Sequence, residues 1–217
     1  MSESSTTTEQ SSPPVAVVAE APVAVKAEAP ASTSPVKKPA TDKQKALAKK
    51  EGAKKGQDLS GLQDLGGVSY FHVALENCDA NWVLMDQAMA GANEDVDPNA
   101  EDRKGGSANI GKAFLSANED KLCIFLYVPE AVSDKVTIQE WFAVLIEASG
   151  AKVVQAPPED KPYGTAKAEL LHVPEVFPLK VRDVTSSLGY QFLRTKKVIP
   201  DEESSEEMGG DAEALEW

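Results

Sequence analysis

The stretch LCIFLYV, Leu122–Val128, followed at once by Pro129, decides the fold predicted for this chain of 217 residues. Seven consecutive apolar residues, rich in aromatic and branched side chains, are too few to span a membrane. They are typical of a central strand that is buried on both faces of a sheet. Because proline cannot donate to a sheet ladder, Pro129 ends the strand.

The flanking segments predict a hairpin and a helix around this strand. Upstream, AFLS at 113–116 and the polar turn after it return the chain into the central strand. Downstream, Thr137 and Glu140 have the capping-box spacing, and Gly150 is a helix stop. The apolar residues between them recur at helical spacing, at Ile138, Trp141, Phe142 and Leu145. We expect Trp141 and Phe142 to pack against Leu122–Val128.

A second strand–strand–helix unit follows Gly150. Residues 151–155 predict a short strand, and residues 165–173 predict an edge strand that Pro174 ends. The helix after it has an apolar stripe formed by Val181, Val184, Leu188 and Phe192. The two units predict an α+β domain at residues 107–198, with a four-stranded sheet and both helices on one face.

Residues 57–106 are predicted to form a helical segment and an acidic loop. Gly66 and Gly67 break the chain, and the apolar residues after them fit one helical face, at Tyr70, Phe71, Ala74, Leu75 and Cys78. Asp79 is the expected N-cap of a second helix, which Gly91 closes.

The two ends differ in composition from the middle. Residues 1–35 are rich in Ala, Pro and Ser and contain no aromatic residue, so we expect disorder. Residues 36–56 form a lysine-rich arm with eight lysines against two acids. This arm has almost no apolar stripe, so a helix there is expected to be marginal alone. Residues 199–217 are predicted to be an acidic, disordered tail, within a chain whose net charge is -13.

The lysines of the arm are the candidate phosphate contacts: Lys43, Lys45, Lys49, Lys50, Lys54 and Lys55. Each lysine that neutralises a phosphate releases a counterion, so the cluster would add affinity for RNA without sequence preference. The alternative is a solvated linker, because basic runs are common. Arg103 and Lys104 are further candidates, because the glycine pair 105–106 after them permits close approach to a phosphate backbone. The alternative is that this glycine pair forms a simple turn.

Residues 107–196 resemble the C-terminal domain of eukaryotic alanyl-tRNA synthetases. The resemblance rests on a short strand ending in Val-Pro, a polar loop and a helix carrying Glu-Trp, with these matching positions: Leu122, Cys123, Val128, Pro129, Glu140, Trp141, Gly150, Ala166 and Ala168. It implies a domain without catalytic residues that contacts the outer elbow of tRNA. The chain departs from the family at the loop 156–160, APPED, where the family has a Gly- and Lys-rich loop. We therefore expect the RNA contact to move to the arm.

No motif in the sequence predicts an enzyme. The chain has only His72 and His172 as imidazoles and lacks the spacings of a zinc site, a P-loop, a nucleophile elbow or a dinucleotide fingerprint. His72 beside Phe71 is expected at the edge of the core, and Cys78 and Cys123 as buried thiols in a reducing compartment. Without these motifs, we expect a non-catalytic protein without metal or cofactor. We expect it in the cytoplasm, because the N-terminus does not resemble a targeting peptide and no apolar run reaches membrane-span length.

Two hypotheses of function remain open. The first is an accessory protein that binds tRNA or another structured RNA through the lysine-rich arm. The second is an adaptor that docks a protein partner through its acidic surface and its tail, where Leu215, Glu216 and Trp217 are the candidate anchors. Interface energy concentrates in buried aromatic side chains, which singles out Trp217.

Overall fold

The computed structural model describes residues 39–96 and 104–200 of the chain. Four helices and five strands form this part. The helices are α1 (Asp42–Gly66), α2 (Trp82–Ala92), α3 (Ile138–Ser149) and α4 (Pro178–Thr195). The strands are β1 (Tyr70–Ala74), β2 (Gly111–Ala117), β3 (Lys121–Val128), β4 (Lys152–Gln155) and β5 (Gly164–Leu171). A short 3₁₀ helix spans Glu130–Val132.

The central strand lies where the sequence predicts it. The strands are ordered β1-β2-β3-β5-β4, so β3 is third of five. Its residues alternate between the two faces, and helices cover both. Leu122, Ile124 and Leu126 pack toward α3 and α4, whereas Cys123 and Phe125 pack toward α1 and α2. The predicted double burial of Leu122–Val128 is therefore confirmed, except at the half-buried Tyr127.

The predicted packing of the C-terminal helices is also confirmed. Trp141 and Phe142 of α3 are buried in one cluster with the β3 side chains Leu122, Ile124, Leu126 and Val128, and α4 contributes Leu193 to the same cluster. Helix α3 begins at a capping box between Thr137 and Glu140. It ends at Gly150, whose φ of 65° is the left-handed conformation that glycine adopts at least cost.

The prediction of four strands is wrong, because Tyr70–Ala74 forms a fifth strand and not a helical face. The segment pairs in parallel with β2, with Tyr70 opposite Gly111. Its side chains alternate: Tyr70 packs toward α3, and Phe71 and Val73 pack toward α2. Aromatic and β-branched residues favour such a pleated, buried surface. A Cβ at Gly111 would lie 2.7 Å from the Tyr70 ring, so glycine leaves room for that ring.

The start of α2 also differs from the prediction. The N-cap is Asn81, whose side chain accepts a hydrogen bond from the Val83 N–H at 2.9 Å. Asp79 lies two residues earlier, in a turn where its φ is 44° and that of Ala80 is 47°. Asn81 caps the helix because its extended backbone lets the short amide side chain reach back to the first turn.

The predicted edge position of β5 is wrong as well. β5 lies between β3 and β4, antiparallel to both. The edge is β4, whose four residues are all exposed. Ala166 and Ala168 of β5 are fully buried, since small side chains suit a strand that α3 and α4 cover.

Candidate nucleic-acid interface

The arm predicted at residues 36–56 belongs to a longer helix. Helix α1 begins at a capping box, in which the Thr41 side chain accepts from the Gln44 N–H and the Gln44 side chain accepts from the Thr41 N–H. It then runs for 25 residues, across residue 56, and ends at Gly67 with a φ of 67°. The Thr-x-x-Gln spacing was a sequence signal for this start.

Helix α1 packs closely against α2 through small residues. Its buried positions are Ala48, Gly52, Ala53, Gly56 and Leu59. A Cβ at Gly52 would overlap the carbonyl of Ala88, and one at Gly91 of α2 would overlap the carbonyl of Lys49. The expected lack of a large apolar stripe is correct, but the helix is not alone. Its contact face consists of alanine and glycine, which permit close approach of the two backbones.

This packing leaves one row of lysines facing away from the protein. At 3.6 residues per turn, Lys43, Lys50 and Lys54 lie within about 40° of each other around the helix axis, opposite the buried face. All three are exposed. Within residues 39–96 and 104–200, no carboxylate lies within 4.0 Å of their ammonium groups. The row extends over about 16 Å of helix, which is enough to face several successive phosphates.

Two other predicted lysines of α1 already have partners. The Lys45 ammonium lies 3.2 Å from the Asp42 carboxylate, and the Lys49 ammonium lies 3.1 Å from the Glu94 carboxylate. Exposed ion pairs of this kind contribute little to stability, but they offset the charge that these lysines could offer to a phosphate. The six lysines that the sequence treats alike therefore differ: three form the exposed row, two are ion-paired, and Lys55 is half-buried beside them.

Lys104 comes to the same surface from a distant part of the chain. The Gly105 N–H donates to the Ala53 carbonyl of α1 at 2.9 Å, which holds the segment after Lys104 on the helix. Gly105 and Gly106 have φ values of 86° and 82°, and a Cβ at Gly105 would overlap the Glu94 carbonyl. The glycine pair thus closes onto the protein's own backbone. Arg103, the other predicted cation of this segment, lies outside the described residues.

A groove of about 510 Å³ collects four of the predicted lysines. We call it the lysine groove; it is lined by Leu47, Lys50, Glu51, Lys54, Lys55, Gln57, Asp58, Glu76, Asn77 and Lys104. Lys54 is exposed and Lys55 is half-buried. The carboxylates of Glu51, Asp58 and Glu76 share the groove with the four lysines. The charge that the lysines present to a phosphate therefore depends on where these carboxylates are held.

One of the three, Glu51, is held by the backbone. Its two carboxylate oxygens accept hydrogen bonds from the N–H groups of Glu76 and Asn77, at 2.8 and 2.9 Å. Backbone donors stabilise the carboxylate where it lies, so Glu51 is held at the turn after β1. No sequence signal predicts this contact, because residues 51 and 76 approach only in the folded chain.

Two buried titratable groups, His72 and Lys112, do not line this groove. His72 is buried between Trp141 and Tyr190, and its Nε2 accepts from the Trp141 indole N–H at 3.2 Å. Burial lowers the pKa of His72 to about 3. Burial likewise lowers the pKa of Lys112 to about 7; its ammonium donates to the carbonyls of Ser107 and Ile110. Both groups are enclosed by the fold.

Neither a metal cluster nor a membrane span is found in the described part of the chain. Residues 39–96 and 104–200 contain no group of three His, Cys, Asp or Glu side chains that could hold a metal ion. No helix within these ranges is long and apolar enough to cross a membrane. Cys78 and Cys123 are buried and form no disulfide. The predicted anchors Leu215, Glu216 and Trp217 lie outside the described residues.

Comparison with known proteins gives one structural neighbour to report. No protein-family model matches the chain. No curated protein matches it either. The chain is similar to the crystal structure of the C-Ala domain from Aquifex aeolicus alanyl-tRNA synthetase, with 15% identity over 54% of this chain and 90% of that chain. The TM-score is 0.29, so we infer no property of this chain from that domain.

Proposed function

We propose that the protein is a non-catalytic accessory protein of the cytoplasm that binds tRNA or another structured RNA through the outer face of α1. The observation that carries the proposal is the row Lys43, Lys50 and Lys54. These side chains are exposed, lie on one face of a docked helix and have no carboxylate partner within residues 39–96 and 104–200.

The docking of α1 supports phosphate binding by this row. A lysine on a free, fraying segment loses conformational entropy when the segment becomes ordered on RNA. Helix α1 is already held by Gly52 against α2 and by Gly67 at its end, so its backbone is ordered before RNA binds. Lys55 and Lys104 extend the positive surface into the lysine groove. The contact is expected to be independent of sequence, since lysine recognises phosphate as a point charge.

The test compares two triple variants of the full chain that have the same net charge. The first replaces Lys43, Lys50 and Lys54 by Ala. The control replaces Lys135, Lys152 and Lys161, which are exposed and lie outside α1. Affinity for a tRNA transcript is measured as a function of salt concentration. If the row contacts phosphates, the slope of log K against log[salt] should fall in magnitude by about 2–3 in the first variant only.

Three further outcomes decide against the proposal. The slope could be unchanged in the first variant, it could fall equally in both variants, or the intact protein could fail to bind tRNA at low salt. Binding that is lost equally in both variants would indicate attraction by total charge. A variant of Lys45 and Lys49 is a second control, because these two lysines are ion-paired and should contribute less to the slope.

The adaptor hypothesis stays a prediction beside this proposal. Its acidic tail lies at residues 201–217, which the structure does not describe. It becomes the preferred account if no RNA binds and a protein partner is captured through Trp217.

A further inference from the structure

Two successive backbone N–H groups converge on one carboxylate at the turn after β1. The Leu75 N–H still donates to the sheet, to the Leu115 carbonyl of β2 at 2.9 Å. The next two N–H groups, those of Glu76 and Asn77, both donate to the Glu51 carboxylate of α1, at 2.8 and 2.9 Å. Successive backbone N–H groups that converge in this way form a binding site for an anion. We call this pair of donors the N–H seat; its occupant in the structure is a side chain of the protein itself.

The N–H seat holds Glu51 although lysines lie beside it on the same helix. Lys54 and Lys55 follow Glu51 by three and four residues, so they lie on the same side of α1, one turn further on. A glutamate four residues before a lysine is the favourable order for an ion pair in a helix. In the part of the chain that the structure describes, no carboxylate lies within 4.0 Å of either ammonium group. Glu51 therefore bonds to the seat, and the two lysines can attract a second anion.

The seat and these lysines belong to one groove, which can hold a phosphate group. A carboxylate and a phosphodiester each present two oxygens that share one negative charge, so backbone donors that bind the first also suit the second. Ammonium groups line the same lysine groove, from Lys50, Lys54, Lys55 and Lys104. The carboxylates of Asp58 and Glu76 line it as well, so the N–H donors, and not charge alone, determine where a phosphate binds.

We propose that the N–H seat binds one phosphodiester of RNA and that Glu51 fills the seat until RNA displaces it. The proposal rests on the proposed function, because it adds one phosphate contact to the exposed row of lysines. Lys54 joins the two surfaces, since it belongs to the row and also lines the groove. When a phosphate enters, the displaced carboxylate has Lys55 as its partner one turn along α1. Glu51 thus competes with RNA inside the protein's own binding surface.

An internal competitor weakens binding by a factor that depends on how often it leaves the site. Hydrogen bonds to an ionised carboxylate are about twice as strong as those between neutral groups, so Glu51 fills the seat in most molecules. If the seat is open in about one tenth of the molecules, a phosphate binds there about tenfold more weakly than at a seat that is always open. Removing the Glu51 carboxylate should therefore raise the affinity of the seat about tenfold.

Two variants of the full chain that have the same net charge test the proposal. Glu51→Ala removes the competitor, and Asp58→Ala removes a carboxylate that lines the same groove on the same helix but does not fill the seat. The probe is a uridine trinucleotide, which contains phosphodiesters but no terminal phosphate. NMR follows the amide resonances of Glu76 and Asn77 as the probe is added. Their shifts should saturate, with a Kd about tenfold lower in Glu51→Ala than in the parent and within about twofold of the parent in Asp58→Ala.

Glu51→Gln is a second variant, which tests the seat even if Glu51→Ala disturbs the docking of α1. Its neutral amide oxygen still accepts from the two N–H groups but forms weaker hydrogen bonds than a carboxylate. The Kd for the trinucleotide should therefore be lower in Glu51→Gln than in the parent. Its control, Asp58→Asn, should again change the Kd by less than about twofold.

The proposal is overturned if the substitutions at positions 51 and 58 have equal effects, because the probe would then follow charge alone. It is also overturned if the resonances of Glu76 and Asn77 do not shift, or if neither variant of Glu51 binds more tightly; Glu51 would then only dock α1. Acetate that binds Glu51→Ala as tightly as the trinucleotide does would indicate a site for peptide carboxylates instead. These results are independent of the lysine row, whose salt dependence is measured with Glu51 in place. Failure of the parent to bind tRNA overturns the proposed function, whereas the amide shifts decide on the seat.

Discussion

At the scale of single residues, the burial of Lys112 makes the free energy of unfolding depend on pH. Its ammonium lies under the apolar layer of α1 and α2, 4.7 Å from the centre of the Tyr127 ring. Burial lowers its pKa from 10.5 to about 7. Between these two values the unfolded chain binds a proton that the folded chain does not bind. The free energy of unfolding therefore rises with pH above about 7.

We predict that this rise disappears in Lys112→Met, which keeps an unbranched side chain but cannot titrate. In the parent protein, the free energy of unfolding should increase by about 1 kcal/mol per pH unit between pH 7 and pH 9. Urea denaturation at several pH values measures it. Above pH 9 the thiol of Cys78 opposes the rise, because burial raises its pKa to about 12. A slope that is equal in both proteins would contradict the assignment to Lys112.

Burial of single residues was predictable only where the sequence pattern was local. Trp141 was expected in the core because its helix has a clear apolar spacing and a capping box. His72 was expected only at the edge of the core, whereas it is buried between Trp141 and Tyr190, residues that lie far from it in the chain. Lys112 gave no signal at all, because a single lysine in a strand is ordinarily exposed.

At the scale of elements, the contact between α1 and α2 depends on glycine. A methyl group at Gly52 would overlap the carbonyl of Ala88 on α2, and one at Gly56 would lie 2.6 Å from the carbonyl oxygen of Ala92. Gly61 lies on the same helix, and a methyl group there would meet nothing within 4 Å. Gly52 and Gly61 therefore allow the same substitution to be compared inside and outside the contact with α2.

We predict opposite effects for the same substitution at these positions. Gly52→Ala should lower the free energy of unfolding by about 1–3 kcal/mol, because the helices must separate to admit the methyl group. Gly61→Ala should raise it by up to about 1 kcal/mol, since alanine favours helix over glycine. Thermal denaturation of both variants provides the measurement. Stabilisation by Gly52→Ala would show that α1 does not pack as described.

Elements that depend on contacts between residues near in sequence were predicted, whereas those that depend on contacts between distant residues were missed. The hairpin β2–β3 was predicted from the polar turn between its strands. Helix α3 was predicted from its capping box and its glycine stop. Strand β1 was missed, since it pairs with β2, which lies far along the chain. The apolar residues of this segment also fit a helical spacing, at Tyr70, Phe71, Ala74, Leu75 and Cys78. The docking of α1 was missed because glycine and alanine carry little hydrophobic signal. The convergence of Lys50 and Lys104 depends on the contact of Gly105 with Ala53.

At the scale of the whole molecule, the packed unit includes α1. The sequence predicts a packed domain at residues 107–198 after a helical segment at 57–106, with the lysine-rich arm 36–56 outside both. In the structure, α1 buries Ala48 and Leu59 in the same cluster as Phe71 and Phe114 of the sheet. The lysines of α1 are therefore on a helix that is fixed to the core.

Trypsin provides the corresponding test, because it cleaves after lysine and needs a locally extended chain. We predict that Lys45, Lys49, Lys50 and Lys54 are not cleaved in the folded protein, although most of them are exposed. Mass spectrometry of early digests identifies the cleaved bonds. Gly52→Leu, which detaches α1, should make the same bonds susceptible. Early cleavage at these lysines in the parent chain would mean that α1 is not docked.

The parallel pairing of β1 with β2 has a consequence for synthesis on the ribosome. Within residues 39–96 and 104–200, β1 stands at the edge of the sheet and β2 is its only neighbouring strand. Residues 75–110 must be translated between the two. At about 5–20 residues per second this takes roughly 2–7 seconds. Tyr70, Phe71 and Val73 therefore leave the exit tunnel before β2 by an interval of the same length, and during it they have no strand to pair with. The nascent chain thus displays an aromatic segment beside a basic helix, which is a combination that chaperones at the tunnel exit can bind.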